Sequence, residues 1–254
     1  MALFTDGPIS SIEDLTAQDS QLLNVANGEG IDVTQKLTLA QGELALELST
    51  LLSRTNYLGE LFQLEAQPGI RSVVVTPALQ LWHTFRALES VYGDAYNSQL
   101  NDRYAGRRDQ FHQMAKRAYE SLVESGIGIA SWPVAKAATP GVAPVSGNLP
   151  DGTYYVTMAW TNSGGEEGAC AVPAVATTSR TTVLVQPGKA PQNATGWNVY
   201  AGADPDNMWQ QNKSPIAIGE SWLQPDALLR GGQAAGSGQS PTYLKPARRL
   251  IQRG

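Results

Sequence analysis

The chain has 254 residues, 42% apolar and 16% charged, with a net charge of −5. That composition describes globular material with one or two cores and excludes a disordered chain or a coiled coil. Overall acidity argues against a general nucleic-acid binder, which needs a basic surface. Cys170 is the only cysteine, so no intramolecular disulfide forms and no cysteine-based zinc site exists.

The opening MALFTDGPISS has neither the basic nor the apolar region of a signal peptide, and no run approaches the ~20 apolar residues of a membrane helix. These features predict a soluble chain folded in a cytoplasm-like compartment. Charge is unevenly spread: residues 1–129 carry 9 bases and 16 acids, residues 130–244 carry 5 and 7, and residues 245–254 carry 4 bases and no acid.

In the first half, Ser11-Ile-Glu-Asp14 predicts the start of a short helix, the serine hydroxyl accepting from free amides. Asp32-Val-Thr-Gln35 opens a long helix in which Val33, Leu37, Ala40, Leu44, Leu48 and Leu51 recur at steps of three and four. Leu39 and Leu46, seven apart, lie off that stripe and predict burial on a second side. The stretch from Ala66 to Val75 interrupts the helices as a loop or short strand. Thr76-Pro77 then starts a helix with Leu81, Phe85, Leu88, Tyr92 and Ala95 on its core face. A last helix is predicted over about 103–125, with Phe111, Ala115, Ala118 and Leu122 inward and Gly126 ending it.

Punctuation changes beyond this point. Only 3 of the 15 prolines and 8 of the 25 glycines precede residue 126. Residues 133–150, rich in Pro, Ala and Gly, read as a linker. From residue 151 the pattern alternates: Tyr154, Val156, Met158 and Trp160 point one way, Thr153, Tyr155, Thr157 and Ala159 the other. Further strands are expected over 167–178 (interrupted at Pro173), 181–186, 196–201 and 216–223. The fold class is therefore α+β as two segregated domains, an N-terminal helical bundle followed by an antiparallel β-sandwich. Expected boundaries are 1–132, a linker at 133–150, a β-domain at 151–240 and a basic tail at 241–254.

Candidate chemistry is sparse. His83 and His112 sit on different helices without a ligand motif and read as structural. Glu166-Glu167 read as a solvated turn, since adjacent strand carboxylates diverge. Asp204-Pro-Asp206-Asn207 spaces oxygens as some calcium loops do but lacks the EF-hand glycine and glutamate. No GxSxG elbow and no phosphate loop is present. Cys170 reads as a small strand residue, and the patterns at Asn193 and Asn212 match glycosylation acceptors without a secretion signal. No catalytic residue, metal site or cofactor is expected. Arg103, Arg107 and Arg108 fall near one helix face, read either as a solvated, ion-paired face or as an intersubunit or phosphate-facing patch. The tail from Thr242 reads either as a frayed terminus or as an arm that docks on a neighbour.

LTAQDSQLLNVANGEGIDVTQKLTLAQGELALEL, TPALQLWHTFRALESVYGDAYNSQL and DRYAGRRDQFHQMAKRAYESLVESGIGIA together resemble the head–tail connector (adaptor) proteins of tailed bacteriophages. Residues 9–132 carry the resemblance, in the Asp-capped long helix, the Thr-Pro helix, the Arg103-Tyr-Ala-Gly-Arg-Arg-Asp109 segment and the Gly-Ile-Gly exit. GTYYVTMAWTNSGGEEG and TGWNVYAG are similar to immunoglobulin-like or fibronectin type III-like modules of phage structural proteins.

The resemblance implies a non-enzymatic virion protein of the neck, assembled in the host cytoplasm. It would form a ring, commonly of twelve copies, between the portal and a downstream neck or tail protein, with DNA passing through the lumen and no membrane contact. Leu39, Leu46, Arg103, Arg107 and Arg108 are then candidates for the subunit interface. Lys245, Arg248, Arg249, Leu250 and Arg253 are candidates for portal docking. The alternative is a binding or decoration module, its β-domain contacting capsid, tail or host-surface glycan through Trp197, Tyr200, Trp209 and Trp222.

Overall fold

The computed structural model describes residues 1–61, 68–99, 102–236 and 238–246. Helices occupy the first half and antiparallel strands the second, the expected α+β layout. The chain divides into two compact units. One joins Gly7–Ile129 to the described residues from Pro241 onward; the other joins Met1–Asp6 to Ala130–Ser240.

In the helical unit, α1 (Ile12–Gln18) opens with a complete capping box between Ser11 and Asp14. Helix α2 (Leu22–Glu29) stops at Gly30, whose φ of 67° is the left-handed conformation that ends a helix. Helix α3 (Val33–Leu61) is capped by Asp32, whose carboxylate accepts from the amides of Thr34 and Gln35 at 2.9 and 3.1 Å. Its stripe from Val33 to Leu51 is buried as the spacing predicts. At about 1.5–3 kcal/mol per buried leucine, this stripe is what fastens α3 to the rest of the unit.

Helix α4 (Pro77–Gln99) starts from Thr76, whose hydroxyl accepts from Leu79. Phe85, Leu88, Tyr92 and Ala95 are buried, but Leu81, expected with them, is 42% exposed. Leu79, Trp82 and Val91, off that stripe, are buried instead. The reason is that α4 is central and packs against α1, α2, α3 and the last helix, so no single face describes it.

That last helix, α5 (Ala105–Ser125), begins later than the sequence suggests because Asp102–Tyr104 form a 3₁₀ turn. Tyr92 of α4 stacks on Phe111 of α5, ring centres 5.5 Å apart. Strand β1 (Ile127–Ile129) follows directly.

The β-unit holds β2 (Gly141–Ser146), β3 (Gly152–Thr161), β4 (Ala174–Thr178), β5 (Thr181–Gln186), β6 (Gly196–Gly202), β7 (Trp209–Gln210), β8 (Ile216–Ala217) and β9 (Trp222–Leu223). One sheet runs β2-β5-β9 and the other β4-β3-β6-β7, with β8 also on β6. Tyr154, Val156, Met158 and Trp160 of β3 meet Val183 and Val185 of β5 and Trp197, Val199 and Ala201 of β6 in the core between the sheets. The layering is a sandwich of two antiparallel sheets. Here β2 pairs with β5, and β3 lies in the other sheet.

The expected linker is corrected by the same pairing. Residues 141–146 form β2 and pair with β5 over six positions, while Val134, Ala137 and Leu149 are core residues. Its Pro and Gly content marks an edge strand, where Pro144 need not donate to a partner.

The domain boundaries shift too. Leu3 and Phe4 are buried, and the Asp6 carboxylate accepts from the amides of Leu3 and Lys136, so the N-terminal six residues belong to the β-unit. At the other end, β10 (Thr242–Leu244) pairs antiparallel with β1 in the helical unit. The start of the tail is therefore a strand, and neither a frayed terminus nor a free arm. Gly128 permits this approach: a Cβ there would lie 2.8 Å from the Thr76 methyl and 3.0 Å from Pro241. The chain thus passes between the units three times, after residues 6, 129 and 240.

Candidate functional site

The site with the clearest chemical character is the outward side of α3. Leu39 is 50% exposed and Leu46 73%. With successive residues about 100° apart, both lie roughly opposite the buried stripe. Gln35, Gly42, Ser49 and Ser53 share this exposed side, which carries no charge. Glu43 and Glu47 stand along its rim. A shallow groove beside it is lined by Leu46, Glu47, Thr50, Leu51 and Arg54 of α3 and by Tyr119 of α5. Partial burial pushes the Glu47 carboxyl above its usual range. Leu39 and Leu46 face solvent within this chain; the burial expected of that side was against something other than its own domain.

Across the same layer runs a line of charges. Arg86 of α4 donates to Glu43 of α3 at 2.7 Å and to Glu89 at 3.0 Å, and Glu89 accepts from or pairs with His112 Nδ1 of α5 at 2.8 Å. His112 therefore has an acidic partner, supplied by another helix rather than by its own.

The three arginines make different contacts. Arg108 lies over the Tyr96 ring at 4.6 Å and pairs with Asp109 at 2.9 Å. Arg103 lies over Tyr104, and Arg107 donates to Gln110. Residues 107 and 108 differ by about 100° round a helix, so Arg107 and Arg108 point to different flanks. Lys245 is exposed just after β10; Arg248, Arg249, Leu250 and Arg253 lie outside the described residues.

Buried titratable groups are held by structure. His83 is fully enclosed; its Nε2 faces the Leu37 carbonyl at 3.0 Å, while Nδ1 has no partner. Desolvation holds the imidazole below its usual pKa, so it is the neutral tautomer with the proton on Nε2. The Cys170 thiol is pushed by burial to about 11, which makes it inert.

In the β-unit, Glu167 contradicts the solvated-turn expectation. It is only 5% exposed, and its carboxylate accepts from the Tyr200 hydroxyl at 2.5–2.6 Å, from Asn198, and from Gln233 at 3.2 Å. Burial and this carboxylate drive the Tyr200 hydroxyl far above its ordinary pKa. Glu166 instead faces the turn, accepting from Asn162 at 3.0 Å. Sequence spacing gave no sign of this cluster, because its members are far apart along the chain.

The aromatic set also resolves. Trp197 and Tyr200 are fully buried, and Trp209 and Trp222 half-buried, leaving Trp132 as the tryptophan most open to solvent at 58%. The Asp204 loop is an Asx turn in which the Asp204 carboxylate accepts from the Asp206 amide and from Asn207. Among the described residues, no group of three or more His, Cys, Asp or Glu is placed to hold a metal ion. No described helix is long and apolar enough to cross a membrane.

Comparison of the chain with protein-family models, with curated proteins and with solved structures finds no match.

Proposed function

We propose that this protein is a structural adaptor of the bacteriophage neck, a ring of identical chains that docks on the portal and on a downstream neck or tail protein. The observation that carries this reading is the outward side of α3, where Leu39 and Leu46 are exposed on an uncharged helix face. Two leucines held in water on a long helix are a standing gain for any partner that covers them, at about 25 cal/mol per Å². The acidic balance of residues 1–129 suits a lumen through which DNA passes, since it does not retain phosphates. No enzymatic step is assigned.

Mass photometry and negative-stain imaging of the purified chain test this. Closed rings are expected, and Leu46→Asp is expected to reduce them to monomers. A chain that remains monomeric with the portal protein present, and is absent from virions, overturns the reading.

A second reading, a decoration module contacting capsid, tail or host-surface glycan, draws on Trp132 of the β-unit. Trp132→Ala should then abolish binding to capsid or glycan arrays; unchanged binding removes it.

A further inference from the structure

We infer that the β-unit carries a saccharide subsite: a cleft at the β7–β8 edge of its larger sheet, with Trp222 as the stacking ring and the Asn212 carboxamide oxygen as a fixed acceptor for a sugar hydroxyl. This goes beyond the ring reading. It rests on the second reading, contact with a glycan, and gives that contact a site other than Trp132.

The cleft comes from how the edge strand is built. Strands β7 and β8 both pair with β6, through Tyr200↔Gln210 and Trp197↔Ile216. Between those pairs, residues 211–215 on the edge face only Asn198 and Val199 on β6, so the edge bulges outward. Asn212 repairs the ladder there. Its Oδ1 accepts from the Val199 amide at 2.9 Å, a place normally filled by a backbone carbonyl. The chain then turns back over Ala217–Glu220, where the Glu220 amide donates to the Ala217 carbonyl at 3.1 Å and Gly219 takes a φ of 86°. Bulge and turn enclose a cleft of about 550 Å³, within the usual range for a small-ligand site, and Trp222 lines it. Trp222 also packs against the core between the sheets, which holds its indole in place.

A buried relay fixes the polarity of Asn212. The Glu167 carboxylate only accepts, so Asn198 turns its Nδ2 toward Glu167 and leaves its Oδ1 for Asn212. Asn212 Nδ2 therefore donates to Asn198 at 2.7 Å and, with its second hydrogen, to the Ser214 carbonyl at 2.8 Å. Both donor hydrogens are spent. Oδ1 keeps one lone pair beyond the bond from Val199, so Asn212 offers a ligand an acceptor and nothing else.

Charge and polarity exclude the other ligand classes. Among the residues lining the cleft, Lys213 and Glu220 carry charge; both are exposed, and neither forms an ion pair with another described residue. One base and one acid leave no net charge to hold a phosphate or a polycation. Together with Asn212, Ser214 and Ser221 they make the lining too polar for a lipid chain. A neutral sugar ring fits both parts of the cleft. Its C–H face lies on the indole, while its hydroxyls donate to Asn212 and Glu220 and accept from Lys213.

Saturation-transfer difference NMR on the full chain tests this, because it reads the sugar and tolerates a large assembly. The probes are the methyl glycosides of glucose, galactose, mannose and N-acetylglucosamine at millimolar concentration. Transfer to the ring C–H protons of at least one of them is expected. Trp222→Ala should weaken that binding by about tenfold or more. Ser221→Arg, at an exposed position that fills the cleft without reaching the core, should do the same, and it keeps the test decisive if Trp222→Ala does not fold. Trp132→Ala should leave the transfer unchanged. Transfer that survives Ser221→Arg and a folded Trp222→Ala overturns the subsite; if Trp132→Ala then removes it, the glycan reading stands with its site at Trp132. No transfer to any of the four sugars refutes the glycan reading and the subsite with it.

Discussion

Replacing Tyr200 with phenylalanine should destabilise the β-unit by about 1.5–3 kcal/mol, the usual worth of a buried hydrogen bond to a charged group. The ring itself is fully buried beside Ala159 and Met208 and is unchanged by the substitution. What is lost is the hydroxyl that both Glu167 oxygens accept, at 2.6 and 2.5 Å. Glu167→Ala should cost more, about 3–5 kcal/mol, since it takes the acceptor from Tyr200, Asn198 and Gln233 together. Urea unfolding followed by tryptophan fluorescence is the measurement, because Trp160 and Trp197 are buried in the β-unit and report on it. Glu220→Gln, an exposed carboxylate, is the control and should stay within about 0.5 kcal/mol of wild type. A Tyr200→Phe protein indistinguishable from that control would show that the buried carboxylate is not held by this hydroxyl, and the argument for the cluster would fail.

Three further outcomes follow from single residues. His83 is held below its unfolded pKa by burial, so the stability it protects is complete above about pH 6.5 and is lost as pH falls below it. Urea titrations across pH 5–7 should show this acid slope in the helical signal at 222 nm, and His83→Gln should flatten it. Gly128→Ala should cost about 1–3 kcal/mol by driving a methyl against Thr76 and Pro241; a neutral effect on thermal unfolding would mean β10 is not seated as described. Cys170 should react with a thiol reagent at pH 8 at least about 100-fold more slowly in the native than in the unfolded chain, the ratio of thiolate for a shift from 9 to about 11; equal rates would refute its burial.

What could be read from the sequence was what repeats locally. The α3 stripe and the caps at Ser11, Asp32 and Thr76 are signals contained within one helix, and each is where the spacing puts it. The β3 alternation survives for the same reason. Leu81 fails because α4 has neighbours on several sides, so its burial depends on which helix ends beside it, and no periodicity records that. β2 fails because Pro and Gly usually mean a loop, and only the partner strand β5 reveals an edge. The β1–β10 pair joins residues separated by more than 110 positions, and the N-terminal segment meets Lys136 across 130. Neither contact leaves a local trace.

The candidate sites divide along the same line. Glu167 sits in a run of Asn, Ser, Gly and Glu that looks like any solvated turn, and it becomes a buried carboxylate only because the β3–β6 register sets Tyr200 and Asn198 against it. Leu39 and Leu46 were visible because an exposed leucine on a helix violates the pattern around it, and a violated pattern is local. Arg103, Arg107 and Arg108 looked like one patch because they are close in sequence. On a helix, adjacency in sequence separates side chains by about 100°, which turns Arg107 and Arg108 to different flanks.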